Sequence, residues 1–145
     1  MKGLIFYIPL ILLSLSGKSQ KYDSWSVFHN RKEAGSFNLK KETNDERKVI
    51  LLNITLDGPG FFVIEFTPMK EQADWIRTIA FLDSNGKTLR EYNNTLLLRI
   101  HNAEIASILE NRQKVQVYSW AVPKDPALAA AIRVRRTLLC TLYTR

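Results

Sequence analysis

The stretch Lys114–Val122, KVQVYSWAV, indicates the fold class most clearly. Valine and polar residues alternate at its start, and aromatic and β-branched residues continue to its end. A period of two places successive side chains on opposite faces of an extended chain, and these residue types fit a strand with one buried face. We therefore expect a β-strand here, with one face toward the core.

The chain after this strand contains a helix start and then an ambiguous segment. Asp125 can cap a helix and Pro126 is tolerated in its first turn, which predicts one or two helical turns over Ala127–Ala131. The last segment, Ile132–Tyr143, alternates like a strand but also contains a weaker helical stripe. We favour the strand because its alternation is longer and because residues from Thr137 onward suit strands.

Turn residues separate similar runs earlier in the chain. Val49–Leu56 and Phe61–Phe66 flank the turn sequence DGPG at 57–60, in which Gly permits a positive φ and Pro fixes its own. We therefore predict that these two runs form a β-hairpin. The other expected strands are Trp25–His29, a short strand around Phe37, Trp75–Asp83, Thr88–Tyr92 and Thr95–His101.

The period changes once, where Asn102 is predicted to cap a short helix that buries Ile105, Ile108 and Leu109 and stops near Asn111. Seven or eight strands, short turns and two small helices are expected in all. This pattern is typical of a mainly β protein, an antiparallel β-sandwich of immunoglobulin-like size. A small β-barrel is the alternative.

The first twenty residues, MKGLIFYIPLILLSLSGKSQ, have the order of a secretory signal peptide: basic Lys2, apolar Leu4–Leu15, then small and polar residues. The apolar part is shorter than the roughly 20 residues that span a bilayer as a helix. We expect cleavage before Gln20, with a cut before Gly17 as the alternative. Residues 1–19 are then the signal peptide, 20–145 form a single domain, and the protein is periplasmic or secreted from a bacterium.

Composition limits the partners of the mature chain. Removing residues 1–19 from the 145 leaves 126, enough for one domain with its own core. Loss of Lys2 and Lys18 lowers the net charge from +7 to +5. This moderate charge permits an acidic cell-envelope protein or polymer as a partner but falls short of a nucleic-acid signature. No second long apolar run follows, so we expect no transmembrane span in the mature chain.

The sequence contains no recognisable catalytic or metal-binding motif. His29 and His101 are far apart, and the spacings of metal ligands, nucleophile elbows and phosphate loops are absent. Cys140, the single cysteine, falls in an apolar strand where it behaves as a small hydrophobe, with a dimer through its thiol as the alternative. We expect no cofactor and no metal. A non-enzymatic binding or accessory module of the cell envelope is favoured, and a hydrolase of envelope polymers with an unrecognised site is the alternative.

A basic segment is the one local anomaly. Arg133 and Arg135 point to one face if the segment is a strand, and they form a candidate docking stripe for an acidic partner, with Tyr143 beside them. A solvated outer face is the alternative interpretation. Arg136 points to the other face among apolar neighbours. It is therefore predicted to form a structural ion pair, because an unpaired buried charge is costly. The candidate partners of Arg136 are Asp83 and Asp125.

Several segments resemble those of a known group of proteins. They are Trp25–Asn30, Asp74–Thr78 and the stretch Tyr118–Cys140, which contains a PxDPxxAAxxRVRRxxLC-like motif. The chain resembles small exported bacterial proteins of no known function. The resemblance implies export from a bacterial cell and a compact domain, and it carries over no activity, ligand or catalytic residue.

Overall fold

A computed structural model describes residues 21–40, 47–70 and 73–145, which form strands joined by short helices. The strands in these residues are β1 Ser24–His29, β2 Lys32–Asn38, β3 Lys48–Leu51, β4 Phe61–Thr67, β5 Trp75–Leu82, β6 Thr88–Asn93, β7 Leu97–His101, β8 Lys114–Pro123 and β9 Thr137–Thr144. The helices are α1 Asn53–Leu56, α2 Asn102–Leu109 and α3 Pro126–Ala131.

The strands form two sheets that pack face to face. Their strand orders are β2-β1-β4-β7 and β3-β9-β8-β5-β6. Neighbouring strands are antiparallel except β3 and β9, which pair in parallel. Neither sheet closes on itself. The predicted β-sandwich is therefore confirmed, and the barrel alternative is not found.

Buried side chains from both sheets fill the space between them. Phe62, Ile64 and Phe66, alternate residues of β4, are at most 5% exposed, as a period of two requires. The indole Nε1 of Trp25 on β1 donates a hydrogen bond to the carbonyl oxygen of Leu139 on β9, at 2.7 Å. This bond connects the two sheets and satisfies a polar group that burial would otherwise leave unpaired.

The hairpin predicted from Val49–Leu56 and Phe61–Phe66 is wrong. The first run leaves the strand conformation after Leu51 and enters α1, and β3 and β4 lie in different sheets. A continuous apolar run does not separate a strand from a helical turn and does not specify a pairing partner. The chain enters β4 through Gly60, which has a φ of 151°. A Cβ at this position would lie 2.0 Å from Asn30 Oδ1.

Helix α2 packs against α1, β4 and β7 and buries Ile105, Ile108 and Leu109, as predicted. The prediction that Asn102 caps this helix is wrong. Asn102 is the first helical residue, and the helix has no side-chain cap hydrogen bond. The chain leaves the helix through Asn111, which has a left-handed φ of 58° and agrees with the predicted stop.

The last segment is a strand over most of its length. Asp125 caps α3 by accepting a hydrogen bond from the Ala127 N–H at 2.9 Å, as predicted. The preference for a strand over a helix is confirmed from Thr137, where β9 begins. Residues 132–136 lie outside both elements, and Val134 is 40% exposed. The predicted strand therefore started too early, because alternation continued into a solvent-exposed connection.

The predicted signal peptide, residues 1–19, lies outside the residues that the structure describes. Within them, no helix has the length and apolar character needed to cross a membrane. The division into a signal peptide and a single domain over 20–145 stays a prediction.

Candidate functional site

A groove of about 700 Å³ runs over the outer face of the four-stranded sheet, and we call it the outer groove. Phe28, Val63 and Arg99 lie opposite one another on β1, β4 and β7 and form one row across it. Its lining includes Phe28, Arg31, Phe61, Val63, Glu65, Leu97 and Arg99.

The two halves of this outer face differ in composition. Toward β2, Ser26 Oγ and Ser36 Oγ are 2.8 Å apart, and Ser36 Oγ donates to the Glu33 carboxylate at 2.9 Å. These exposed polar contacts are typical of a solvated surface. Toward β7, the outward side chains of Phe61, Val63 and Leu97 are apolar, and Leu97 is 57% exposed. Exposed apolar side chains that cluster rather than scatter mark interaction surfaces.

Phe61, the first residue of β4, lies at one end of this half of the face. Strand pairing brings His101 of β7 directly opposite Phe61, and the two ring centroids are 4.5 Å apart. The guanidinium carbon of Arg99 lies 3.8 Å from the Phe61 centroid. An arginine stacked on an aromatic face keeps its edge N–H groups free to bind a carboxylate.

Strand β7 is an edge of its sheet in the described part of the chain. The Asn102 N–H donates to the Gly60 carbonyl at 3.1 Å, so the even-numbered residues of this segment direct their backbone groups toward β4. In an antiparallel pair the alternate residues direct theirs away. Arg99 therefore presents its backbone N–H and C=O groups at the open edge, beside the outer groove, and His101 presents its N–H there, whereas the His101 C=O begins the hydrogen bonds of α2.

The predicted docking residues occupy two separate places. Arg133 and Arg135 lie in the connection between α3 and β9, and both are exposed. Tyr143 lies near the far end of β9, and a rise of about 3.3 Å per residue separates it from Thr137 by about 20 Å. Its ring lies 4.8 Å from Lys48 Nζ. The predicted arrangement, with Tyr143 beside the two arginines, is therefore wrong.

Arg136 is exposed, and its guanidinium carbon lies 4.8 Å from the centroid of the Trp120 ring. The prediction that it is buried among apolar neighbours is wrong, because residues 132–136 lie outside β9. Both expected partners cap local structure: Asp83 accepts from two N–H groups of its own turn, and Asp125 caps α3. An exposed arginine on a ring needs no buried counter-ion, so the reason for the predicted ion pair disappears.

His29 takes part in a buried polar cluster around Asn102, which is 1% exposed. The Asn102 amide nitrogen lies 3.0 Å from the Thr55 carbonyl, 3.2 Å from the Gly58 carbonyl and 3.0 Å from Asn30 Oδ1. Its Oδ1 therefore accepts from His29 Nε2, at 3.2 Å. Burial lowers the pKa of His29, and this hydrogen bond opposes the effect. The contact joins the end of β1 to the start of α2.

Cys140 is fully buried, and burial raises the pKa of its thiol to about 12. A thiol in that state is a poor nucleophile, as the sequence interpretation expected. A dimer through a disulfide of Cys140 would need an exposed thiol, and this thiol is buried. The described residues contain no group of three or more His, Cys, Asp or Glu side chains that could hold a metal ion.

Sequence reasoning missed the outer groove, although one signal for it was present. Phe62 and Ile64 occupy the inner positions of β4, but Phe61 and Val63 between them are also apolar. A strand that is apolar on both faces, in a sheet with only one face packed on the core, indicates a second contact surface. Arg99 could not be identified in this way, because only strand pairing brings it to Phe61.

Comparison with known proteins gives no relative from which a role could be transferred. No family model, curated protein or solved structure matches the chain.

Proposed function

We propose that the chain is an exported, non-enzymatic binding module whose partner surface is the outer groove and the adjoining edge of β7. The exposed Leu97 and the stack of Arg99 on Phe61, which line one groove on the solvent side of the sheet, carry this proposal. Folding does not require a leucine that is 57% exposed on the outer face of a sheet. Such a cluster gains its stabilisation when a partner covers it.

The partner we propose is an extended acidic segment of another cell-envelope protein. The open backbone groups of β7 can pair with an added strand, and the groove beside them can accept alternate side chains. Arg31 and Arg99 outnumber the single carboxylate of Glu65 in the groove, so acidic side chains are favoured. A second copy of the chain fits poorly, because two β7 strands pairing about their middle would place Arg99 opposite Arg99.

A hydrolase of envelope polymers is the alternative function. It would need two carboxylates, or a histidine and a carboxylate, in one cleft. The outer groove combines Glu65 with arginines and apolar side chains. This composition supports binding over acid–base chemistry. The exposed pair Arg133 and Arg135 is the competing binding surface, and it serves as the control below.

A peptide titration tests the binding surface. The probe is an acetylated and amidated peptide in which Glu and Val alternate, long enough to pair with the whole of β7. We expect it to shift the backbone amide resonances of Arg99 and His101 in the mature chain. A matched peptide with Lys in place of Glu should bind about tenfold more weakly, since a charge-assisted hydrogen bond contributes about 1.5–3 kcal/mol.

Two variants locate the contact. Arg99→Glu should weaken binding of the Glu peptide about tenfold or more, because it reverses the charge in the groove. The double variant Arg133→Glu, Arg135→Glu should leave it unchanged. Shifts confined to residues 132–136, or equal binding of the Glu and Lys peptides, would contradict the proposal.

Export is a separate part of the proposal, supported by the order of basic, apolar and small residues at 1–20. Expression of the full chain in a bacterium, followed by mass spectrometry of the purified protein, tests it. We expect the recovered chain to begin at Gln20. A chain in the cytoplasm that retains residues 1–19 would contradict export.

A further inference from the structure

A second cavity, of about 340 Å³, opens where β4 ends, β5 begins and the link between β6 and β7 passes from one sheet to the other. We call it the end pocket. Its apolar walls are Pro68, Trp75, Leu96 and Ala121, and among the described residues that line it Arg77 alone is charged. The end pocket is separate from the outer groove, and the inference drawn from it is independent of the function proposed above.

Arg77 occupies a position that favours an apolar side chain. It lies on the same face of β5 as Ile79 and Phe81, which are both fully buried, so it projects between the two sheets. Its guanidinium carbon lies 3.9 Å from the centroid of the Phe66 ring. Its Nη1 donates to the buried hydroxyl of Ser119 at 3.0 Å. One face and one N–H of the guanidinium are therefore held in place.

The charge of Arg77 has no direct counter-ion among the described residues. Burial lowers the pKa of Arg77, and the negative charge of Asp23 opposes this effect from a distance. Asp23 itself accepts the Met69 N–H through Oδ1 at 2.6 Å. A half-buried guanidinium presents five N–H donors in a fixed fork, and here the contacts described above use only one of them. The remaining donors need an acceptor.

We propose that the end pocket binds a small monocarboxylate with an apolar body. The guanidinium fork matches the two oxygens of a carboxylate. With one cation in the lining, a monoanion leaves no excess charge, whereas a phosphate dianion would leave an uncompensated negative charge in a half-buried site. Trp75 and Leu96 offer the apolar surface for the body of the ligand.

Calorimetry with defined probes tests the proposal. The first probe is N-acetyl-L-phenylalanine, and its uncharged amide is the matched control. We expect the acid to bind at least tenfold more tightly than the amide, and inorganic phosphate to bind no better than the amide.

The tripeptide Gly-Gly-Phe, with a free carboxyl terminus, tests whether the natural carboxylate is the end of a peptide chain or a free small acid. If the tripeptide binds as tightly as N-acetyl-L-phenylalanine, the natural ligand is a chain terminus. If the tripeptide does not bind, the natural ligand is a free small acid.

Two variants remove the site in different ways. Arg77→Gln deletes the charge, and Ala121→Leu, on the strand position opposite Arg77, fills the pocket while keeping the charge. Each should abolish carboxylate binding, while Arg90→Gln, at an exposed position of β6 outside both sites, should leave it unchanged. If Arg77→Gln does not fold, Ala121→Leu alone decides. Equal binding of acid and amide, equal binding of phosphate, or binding that survives Ala121→Leu would overturn the proposal.

Discussion

The guanidinium carbon of Arg99 lies 3.8 Å from the centroid of the Phe61 ring, on the solvent side of the four-stranded sheet. An exposed cation–π contact contributes about 0.5–1 kcal/mol, too little to explain an apolar cluster on an outer face. The arginine covers one face of the ring and keeps its donors available at the rim of the groove. This relationship is therefore better suited to receiving a partner than to stabilising the fold.

Two adjacent leucines test which face of β7 belongs to the core. Leu98→Ala should lower the free energy of unfolding by about 2–5 kcal/mol, because Leu98 is 4% exposed and its removal leaves a cavity. Leu97→Ala should change it by less than about 0.5 kcal/mol, because that side chain faces solvent. Urea denaturation of both variants makes the comparison. Similar losses in the two variants would show that Leu97 supports the fold, and the argument for a partner would fail.

The bond between Trp25 and Leu139 should be measurable as stability. Trp25→Phe retains most of the ring but leaves the Leu139 carbonyl without its donor, so the free energy of unfolding should fall by about 1–3 kcal/mol. Trp75→Phe, at the partly exposed start of β5, is the control and should cost less. The same denaturation curves give both values, and an equal cost for the two variants would argue against a special role for the bond between the sheets.

The turn into β4 depends on glycine at position 60. Gly60→Ala should lower the free energy of unfolding by about 1–3 kcal/mol, because φ is unfavourable for a side chain and the new Cβ would meet Asn30. Gly58→Ala is a matched control, since a Cβ there has no heavy atom within 4 Å. Thermal unfolding followed by circular dichroism should separate the two. A stable Gly60→Ala variant would mean that the turn can rearrange.

His29 should make the protein less stable in mild acid. Its pKa is lowered from the usual 6.5, chiefly by burial, so the unfolded chain binds a proton more readily than the folded one. The free energy of unfolding should therefore fall as the pH drops below about 6.5 and level off below the folded-state pKa.

Urea midpoints at about pH 7.5 and about pH 5 measure this effect. His29→Gln should reduce the difference between the two midpoints. His101→Gln is the control, because His101 lies exposed on β7 and should leave the difference as it is. An unchanged difference in His29→Gln would assign the acid sensitivity to other groups.

The sequence predicted the elements better than their partners. Alternation placed Phe62 and Ile64 inside, and the capping role of Asp125 followed from its position before Pro126. The pairing of Val49–Leu51 could not be foreseen, because its partner β9 lies at the other end of the chain. Non-local pairing depends on the sum of contacts across both sheets, and local propensity does not determine it.

The candidate sites were less predictable for the same reason. Arg133, Arg135 and Arg136 attracted attention because they are close in sequence, but Arg136 lies on Trp120 in an exposed connection. Phe61 and Arg99 become neighbours only through the pairing of β4 with β7. Arg77 was not singled out, because a single arginine in a strand carries no local signal of a half-buried charge.

Photo-crosslinking in the source organism shows whether a protein partner covers the outer groove. A photoreactive amino acid replaces Leu97 in one variant and Val134, which is 40% exposed in the basic segment, in the other. We expect an adduct to one discrete protein from position 97, lost when Arg99→Glu is added and retained with Arg133→Glu, Arg135→Glu. An adduct formed only from position 134, or none from either position, would contradict it.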